Sequence, residues 1–267
     1  MDNYIINSLN TLFNRNSKTI YDCEKEILEL QRNTYSKEEQ DAFVEDGLCW
    51  ASISKDLPDR DNRNWPECLW TDANRRVLFL LKEPNQNEGE DYKDWDWAEG
   101  TDQFGNVLAY WLEGILRTKS NYSPTYNDIS FRKDIFSKFP LAICNLKKIA
   151  GDSQADWKEI WEYAERDKEF LRRQIREILR PNIIVCGGSN DSNDSYKKVL
   201  TIALEIIYPD LKTEFKRINS WCYFNSKEDI LLIDSYHPSY YAIKEQDKIE
   251  WLIKGYQEFI LAVNYTH

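Results

Sequence analysis

Four short apolar runs stand out along the chain and predict buried strands. They cover residues 77–81, 141–144, 183–186 and 230–233, and each is almost uniformly hydrophobic. Uniform hydrophobicity is typical of parallel strands that are covered on both faces, whereas a strand with one solvated face alternates apolar and polar residues. The pattern therefore predicts four strands at the centre of a sheet.

Helical periodicity fills the spaces between these runs. Apolar residues recur at helical spacing over 104–118, 155–179, 195–207 and 244–263. Strands that alternate with helices indicate an α/β fold, here a three-layer α/β/α sandwich around a central, mainly parallel, four-stranded sheet. We expect this domain to span 75–267.

The first 74 residues predict a helical N-terminal extension packed on that domain. Residues 1–14 and 19–32 have helical spacing of Ile, Leu and Phe, and Ser36 with Glu39 has the pattern of a capping box at a further helix start. Residues 56–74 are polar and contain proline, which predicts a loop before the first strand.

Composition restricts the class of protein. No apolar run approaches the roughly 20 residues that a membrane-spanning helix needs, and the start of the chain lacks a basic, signal-like region. The six cysteines include no CxxC pair, which argues against a zinc site or an iron–sulfur cluster, and the lack of a secretion signal argues against a disulfide framework. We expect a cytoplasmic protein without metal, cofactor or membrane partner; its oligomeric state stays open.

The charge is unevenly distributed. The formal net charge is −11, which disfavours contact with phosphates. Residues 83–102 carry eight acids and one lysine, whereas residues 117–148 carry seven Lys and Arg against two Asp. This asymmetry predicts a basic face in spite of the negative total.

Candidate chemistry follows the predicted strands, where ligands bind in open α/β sheets. The four runs are followed by Lys-Glu-Pro-Asn from residue 82, Asn-Leu-Lys-Lys from 145, Gly-Gly-Ser from 187 and Asp-Ser-Tyr-His-Pro-Ser from 234. A carboxylate, an amide, a glycine turn and a histidine are thus expected at one rim. The chain has only two histidines, so His237 before Pro-Ser is informative.

The order of these motifs resembles the uracil-DNA glycosylase superfamily. ICNLKK, the long helix leading to RPNIIVCGG, and LLIDSYHPSYY are most similar to the branch that normally carries an iron–sulfur cluster, although the cluster cysteines are missing here. The resemblance covers roughly residues 75–242. It implies the fold of that superfamily, DNA as the partner, and hydrolysis of an N-glycosidic bond to leave an abasic site.

The resemblance also implies roles for individual residues. Glu83 corresponds to the acid that positions or activates water, and His237 to the histidine that stabilises negative charge on the departing base. Asn145 corresponds to the amide that reads the edge of a flipped pyrimidine, and Phe104 to the aromatic that stacks on it. The resemblance further implies that the substrate is contacted by Lys82, Pro84 and Asn85. It implies that DNA is contacted by Lys147, Lys148, Ser189, Ser239, Tyr240 and Tyr241.

Departures from the family pattern shape the functional expectation. Leu81 stands where the family has glycine, Lys82 where a polar uncharged residue is common, and an acidic, Trp-rich insert spans 87–104. These changes predict a modified pyrimidine, such as one found in phage DNA, in preference to uracil. The alternative is a catalytically silent relative that binds nucleic acid or a nucleotide, or regulates a partner. An unrelated α/β hydrolase gains no support, because GxSxG and P-loop motifs are absent.

Overall fold

The computed structural model describes residues 18–49, 66–85, 91–92, 95, 97, 102–118, 123–124, 131–151, 155–188 and 198–263. The predicted helix at 1–14 lies outside these residues. Within them, seven strands form one sheet with helices packed on both faces. The predicted α/β class is confirmed.

The seven strands lie side by side in the order β1-β3-β2-β4-β7-β6-β5. Their bounds are β1 Gly47–Leu48, β2 Val77–Leu81, β3 Ala142–Asn145, β4 Ile183–Gly187, β5 Lys216–Arg217, β6 Cys222–Asn225 and β7 Ile230–Ser235. The four apolar runs become β2, β3, β4 and β7, the parallel centre of the sheet. The predicted total of four strands is too low, because β1, β5 and β6 join the edges antiparallel. β1 and β5 have only two residues each, and β6 is only partly buried, so none of the three forms a uniform apolar run.

The helices are numbered in chain order over the described residues. They are α1 Ile20–Arg32, α2 Lys37–Asp41, α3 Pro66–Asp72, α4 Gln103–Arg117, α5 Phe131–Lys138, α6 Trp157–Arg166, α7 Lys168–Arg172, α8 Val199–Ile202 and α9 Glu245–Val263. Two π-helical segments, Arg173–Leu179 and Ala203–Ile207, continue α7 and α8. None of the helices in the described ranges is long and apolar enough to cross a bilayer.

Alternate residues of the central strands face two separate cores. In β2, Phe79 and Leu81 pack with α4, α5 and α9, whereas Leu78 and Leu80 pack with α6, α7 and α8. Because helices cover both faces, these strands are apolar except at their carboxyl ends, where Asn145, Asp234 and Ser235 lie, and this is the pattern seen in the sequence.

Local signals place most helix ends, with two corrections. The capping box of Ser36 and Glu39 is present at the start of α2. The predicted helix at 155–179 is interrupted at Asp167, where α6 ends and α7 begins. The predicted loop at 56–74 contains α3, which starts at Pro66, a residue favoured at the first helical position. Trp70 then donates from Nε1 to the carbonyl oxygen of Leu179 at 2.8 Å, which attaches α3 to the core.

A buried polar cluster joins the N-terminal segment to the sheet. The Lys148 ammonium donates to Asp46 Oδ1 at 2.5 Å, to Gln174 Oε1 at 3.1 Å and to Cys144 Sγ at 3.2 Å. Gln174 in turn donates from Nε2 to Glu24 Oε1 at 3.1 Å. All five side chains are buried. The segment predicted as an extension therefore supplies both an edge strand and two of the carboxylates inside the fold.

We expect Lys148→Met to reduce the free energy of unfolding by about 3–5 kcal/mol, because it leaves the Asp46 carboxylate buried without its cation. Urea unfolding followed by circular dichroism measures the change. Lys158→Met is the matched control, since Lys158 is exposed and pairs only with exposed Glu162 at 3.7 Å; we expect it to change stability by less than about 1 kcal/mol. Equal effects of the two substitutions would contradict the role given to the buried pair.

Candidate functional site

The connections of the parallel sheet diverge at β2. The chain leaves β2 for β3 on one side, and β4 then joins β2 on the other side. Where successive connections diverge in this way, their loops separate and leave a crevice beyond the carboxyl ends of the strands. Here the crevice lies beyond β2 and β4, and the loop after β7 borders it because β7 pairs with β4.

Two glycines allow three chain segments to meet at this crevice. A Cβ atom on Gly187 would lie 2.7 Å from Leu81 Cδ2 and 3.4 Å from Pro238 Cδ, and a Cβ atom on Gly188 would lie 3.2 Å from Lys82 Cγ. Gly188 also has φ +138°, a conformation that side chains with a Cβ rarely adopt. The end of β2 and the loop after β7 thus approach each other across the end of β4.

His237 lies in the loop after β7 in a fixed orientation. The amide of Ser239 donates to His237 Nδ1 at 3.3 Å, and the amide of Tyr240 donates to the His237 carbonyl oxygen at 2.9 Å. Since Nδ1 accepts a hydrogen bond, a neutral ring carries its proton on Nε2. The imidazole therefore has one donor, Nε2–H, for a ligand.

The surroundings of His237 disfavour its charged form. Burial, together with the Lys82 and Lys248 cations, lowers the pKa of His237 to about 3. Burial penalises the imidazolium and nearby cations repel it, so both effects act in the same direction. At neutral pH the ring is uncharged, and positive charge lies near it.

An aromatic wall adjoins the histidine. The Phe104 ring centroid lies 5.9 Å from that of His237 and 5.9 Å from that of Trp97. Phe104 begins helix α4, whose N-cap Asp102 accepts from Gly105 N at 2.8 Å. Trp97 is buried and donates from Nε1 to the Tyr92 carbonyl oxygen at 2.8 Å. Trp97 thus belongs to the core, and Phe104 is the half-buried ring beside His237.

Glu83 is held in an ion pair at the other end of the rim. Its Oε2 accepts from Lys147 Nζ at 2.8 Å, and Lys147 also lies 3.1 Å from Glu159 Oε1. The side chains of Glu83 and Lys147 are 8% and 5% exposed. A Cβ atom on Gly151 would lie 2.1 Å from Glu83 Cδ, so this glycine makes room for the carboxylate. Burial alone would lower the pKa of Lys147, but its hydrogen bond and charge interaction with Glu83 raise it.

The residues around Glu83 have separate environments. The Pro84 carbonyl oxygen accepts from Gly151 N at 3.0 Å, and Asn85 is exposed, with its amide donating to the Tyr92 hydroxyl at 3.3 Å. Lys82 Nζ lies 5.5 Å from the ring centroid of Trp157. The stem of Lys82 lies against Gly188 at the crevice, and its cation contributes to lowering the pKa of His237.

Asn145 is fully buried beneath the rim. Its Nδ2 donates to Asp46 Oδ2 at 3.1 Å, and its backbone amide donates to the same oxygen at 2.6 Å. Asn145 Oδ1 is buried and has no hydrogen-bond partner among the described residues. An unsatisfied buried acceptor is costly, so this oxygen is suited to a donor from a ligand or water.

The residues expected at DNA fall into two groups. Lys147 and Lys148 are buried, and each ammonium is paired with a carboxylate; their contact with DNA phosphates stays a prediction. Ser239 is exposed, Tyr240 is half-buried against Tyr236, and Tyr241 is 89% exposed. Ser189 lies outside the described residues.

The predicted basic face is largely neutralised. Among the described residues of 117–148, the following basic side chains form ion pairs with carboxylates: Arg117, Arg132, Lys138, Lys147 and Lys148. Their partners lie outside the segment in most cases, which is why the local charge count of the sequence was misleading.

Two residues of the site were missed from sequence. Lys248 of α9 is 1% exposed and donates to carbonyl oxygens of the His237 loop, at 3.0 Å for that of Tyr240. Its position next to Ile249, on the apolar face of the last helix, could have indicated from sequence that this lysine is buried. Asp46, which holds Asn145, gave no signal, because it lies in an irregular stretch. No group of three or more potential metal ligands occurs among the residues described.

We expect His237 to remain neutral from pH 5.5 to 8.5, with its proton on Nε2, because its pKa is lowered to about 3. Two-bond ¹H–¹⁵N NMR spectra of the imidazole report both the charge and the tautomer, and His267→Ala removes the only other histidine signal. A titration between pH 5.5 and 7.5, or a proton on Nδ1, would contradict the geometry described.

The site offers a neutral imidazole donor, an aromatic wall, a paired carboxylate and a buried amide oxygen. The sequence matches no protein-family model and no curated protein. The chemistry of the site therefore rests on these side chains and their geometry.

Proposed function

We propose that the chain is a monofunctional DNA glycosylase that flips a pyrimidine out of DNA and hydrolyses its N-glycosidic bond. The observation that carries the proposal is His237 beside the Phe104 ring, with Nδ1 accepting from the Ser239 amide, so that Nε2–H is the donor left for a ligand. A donor and a flat aromatic face at the carboxyl ends of parallel strands suit the edge and face of a base.

The reaction needs stabilisation of two opposite charges. As the bond between C1′ and the base breaks, its electron pair moves to the base, and positive charge develops on the sugar until water adds to C1′. A preorganised donor such as His237 Nε2–H stabilises the negative base, and the nearby Lys82 and Lys248 cations reinforce it. The Glu83 carboxylate is suited to stabilising the sugar and orienting water. No metal is required.

Recognition of the base is assigned to Phe104 and Asn145. Flipping a base costs a few kcal/mol of stacking, which contact with an aromatic ring can offset. Asn145 Oδ1 is a buried acceptor without a partner among the described residues, and Asp46 holds the amide nitrogen. We assign this oxygen the role of accepting from an N–H group on the base edge, which would supply the donor that it lacks.

We further propose that a modified pyrimidine, such as those of phage DNA, is preferred over uracil. Leu81 stands against Gly187, where the family pattern has a glycine, and Lys82 brings a cation to the crevice beside Gly188. Both change the shape and charge of the space available to the base. Tyr241, which is exposed beside Tyr240, is the proposed wedge into the vacated stack.

One observation favours a second candidate, a catalytically silent protein of this fold that binds nucleic acid or a nucleotide or regulates a partner. Glu83 is already paired with Lys147, and the basic residues of 117–148 are largely neutralised. With a net charge of −11, this arrangement weakens the expected attraction to DNA phosphates.

An abasic-site assay tests the two candidates. Duplex and single-stranded DNA containing uracil or modified pyrimidines is incubated with the protein and treated with alkali, and strand cleavage marks each abasic site. We expect cleavage with at least one modified pyrimidine. Absence of abasic sites on every DNA, with retained DNA or nucleotide binding, would replace the glycosylase by the silent alternative.

We expect His237→Ala and Glu83→Gln each to lower the single-turnover rate by about 10²-fold or more, the usual scale for losing a charge-stabilising or acid–base group. Glu162→Gln is the matched control, because Glu162 is an exposed glutamate of α6 away from the crevice. Unchanged rates in both site variants would discard these assignments even if activity were found.

A further inference from the structure

We infer that Lys248 is a positioning residue whose buried ammonium holds the His237 loop from helix α9 and thereby aims the imidazole into the crevice. The importance of this aim for catalysis rests on the proposed function. The hold on the loop is a property of the fold and can be tested by itself.

The contacts of Lys248 enclose the part of the loop that fixes the ring. Its Nζ donates to the carbonyl oxygens of Pro238 and Tyr240, the second at 3.0 Å. Between these two residues lies Ser239, whose amide donates to His237 Nδ1, and the Tyr240 amide donates back to the His237 carbonyl oxygen. Lys248 therefore stabilises the turn that sets both the orientation and the tautomer of the histidine.

Burying an ammonium group to bind two carbonyl oxygens has a large desolvation cost. Among the described residues, no carboxylate forms a salt bridge with Lys248, and burial lowers its pKa, with Glu245 acting in the opposite direction. A neutral donor would satisfy the carbonyl oxygens at a smaller desolvation cost. The positive charge is thus better explained by its effect on a neighbour than by packing.

That neighbour is His237. Two cations act on the ring, Lys82 from the end of β2 and Lys248 from α9, while Phe104 from α4 contributes an uncharged face. Like charges disfavour the imidazolium, so the ring stays a neutral donor. The same positive potential favours negative charge that develops on a group bound at Nε2. Lys248 therefore orients the donor and strengthens it.

The test uses Lys248→Met in the full chain at pH 7.5, with Lys254→Met as the matched control. Lys254 is an exposed lysine of the same helix, so the control makes the same change in charge without touching the loop. In Lys248→Met we expect at least about tenfold faster hydrogen exchange at the Ser239 and Tyr240 amides and a mixture of imidazole tautomers. In Lys254→Met we expect exchange within twofold of wild type and Nε2–H alone.

Kinetic parameters separate positioning from substrate binding. On a DNA that the wild-type protein cleaves, Lys248→Met is expected to lower kcat about tenfold or more and to leave KM within about threefold. Lys248→Gln, which keeps a donor without the charge, should retain more of the exchange protection than Lys248→Met. It also serves as the second variant if Lys248→Met does not fold.

The outcomes distinguish this inference from the proposed function. Unchanged exchange and tautomer in the Lys248 variants, or unprotected Ser239 and Tyr240 amides in the wild-type protein, would overturn the positioning role whether or not base release occurs. A changed exchange rate and tautomer in a protein that releases no base from any DNA would support the positioning role and reject the glycosylase proposal.

Discussion

The parallel strands β2, β3, β4 and β7 are buried on both faces, and this constraint determines where polar chemistry can occur. Their side chains divide between two cores, so polar groups are confined mainly to the strand ends. Divergence of the connections at β2 then opens a crevice at those ends. The glycines that follow β4 allow Lys82 and Pro238 to border it closely.

The charged groups around His237 and Glu83 give these two side chains different electrostatic environments. Nearby cations keep His237 neutral, whereas the negative charge of Glu83 is balanced by Lys147. The histidine thus lies in a positive potential, and the carboxylate lies in an ion pair. His237 Nε2–H can donate to a negatively charged group without a change of protonation. The Glu83 carboxylate would stabilise positive charge on a sugar while it remains in its ion pair with Lys147.

The sequence predicted what depends on local pattern. Uniform apolar runs identified the central strands, and His-Pro-Ser after the last run identified the histidine that the structure places at the crevice. Pairings between distant residues were not visible: Lys148 and Lys147 were expected to contact DNA, whereas in the structure they pair with Asp46 and Glu83, which lie 102 and 64 residues away along the chain. Lys248 was missed for the same reason, because only the folded chain brings α9 against the loop after β7. The edge strands β1 and β5 have only two residues each, and β6 is only partly buried, so none of them gave a pattern.

The central claim is that this crevice releases a base from DNA, and mass spectrometry of the released bases tests it most directly. Separate DNAs that contain uracil or one modified pyrimidine each would be incubated with the wild-type protein and with His237→Ala. The account predicts a free modified pyrimidine from at least one DNA with the wild-type protein, and little or none with the variant. No free base from any DNA, or equal release by the variant, would contradict it.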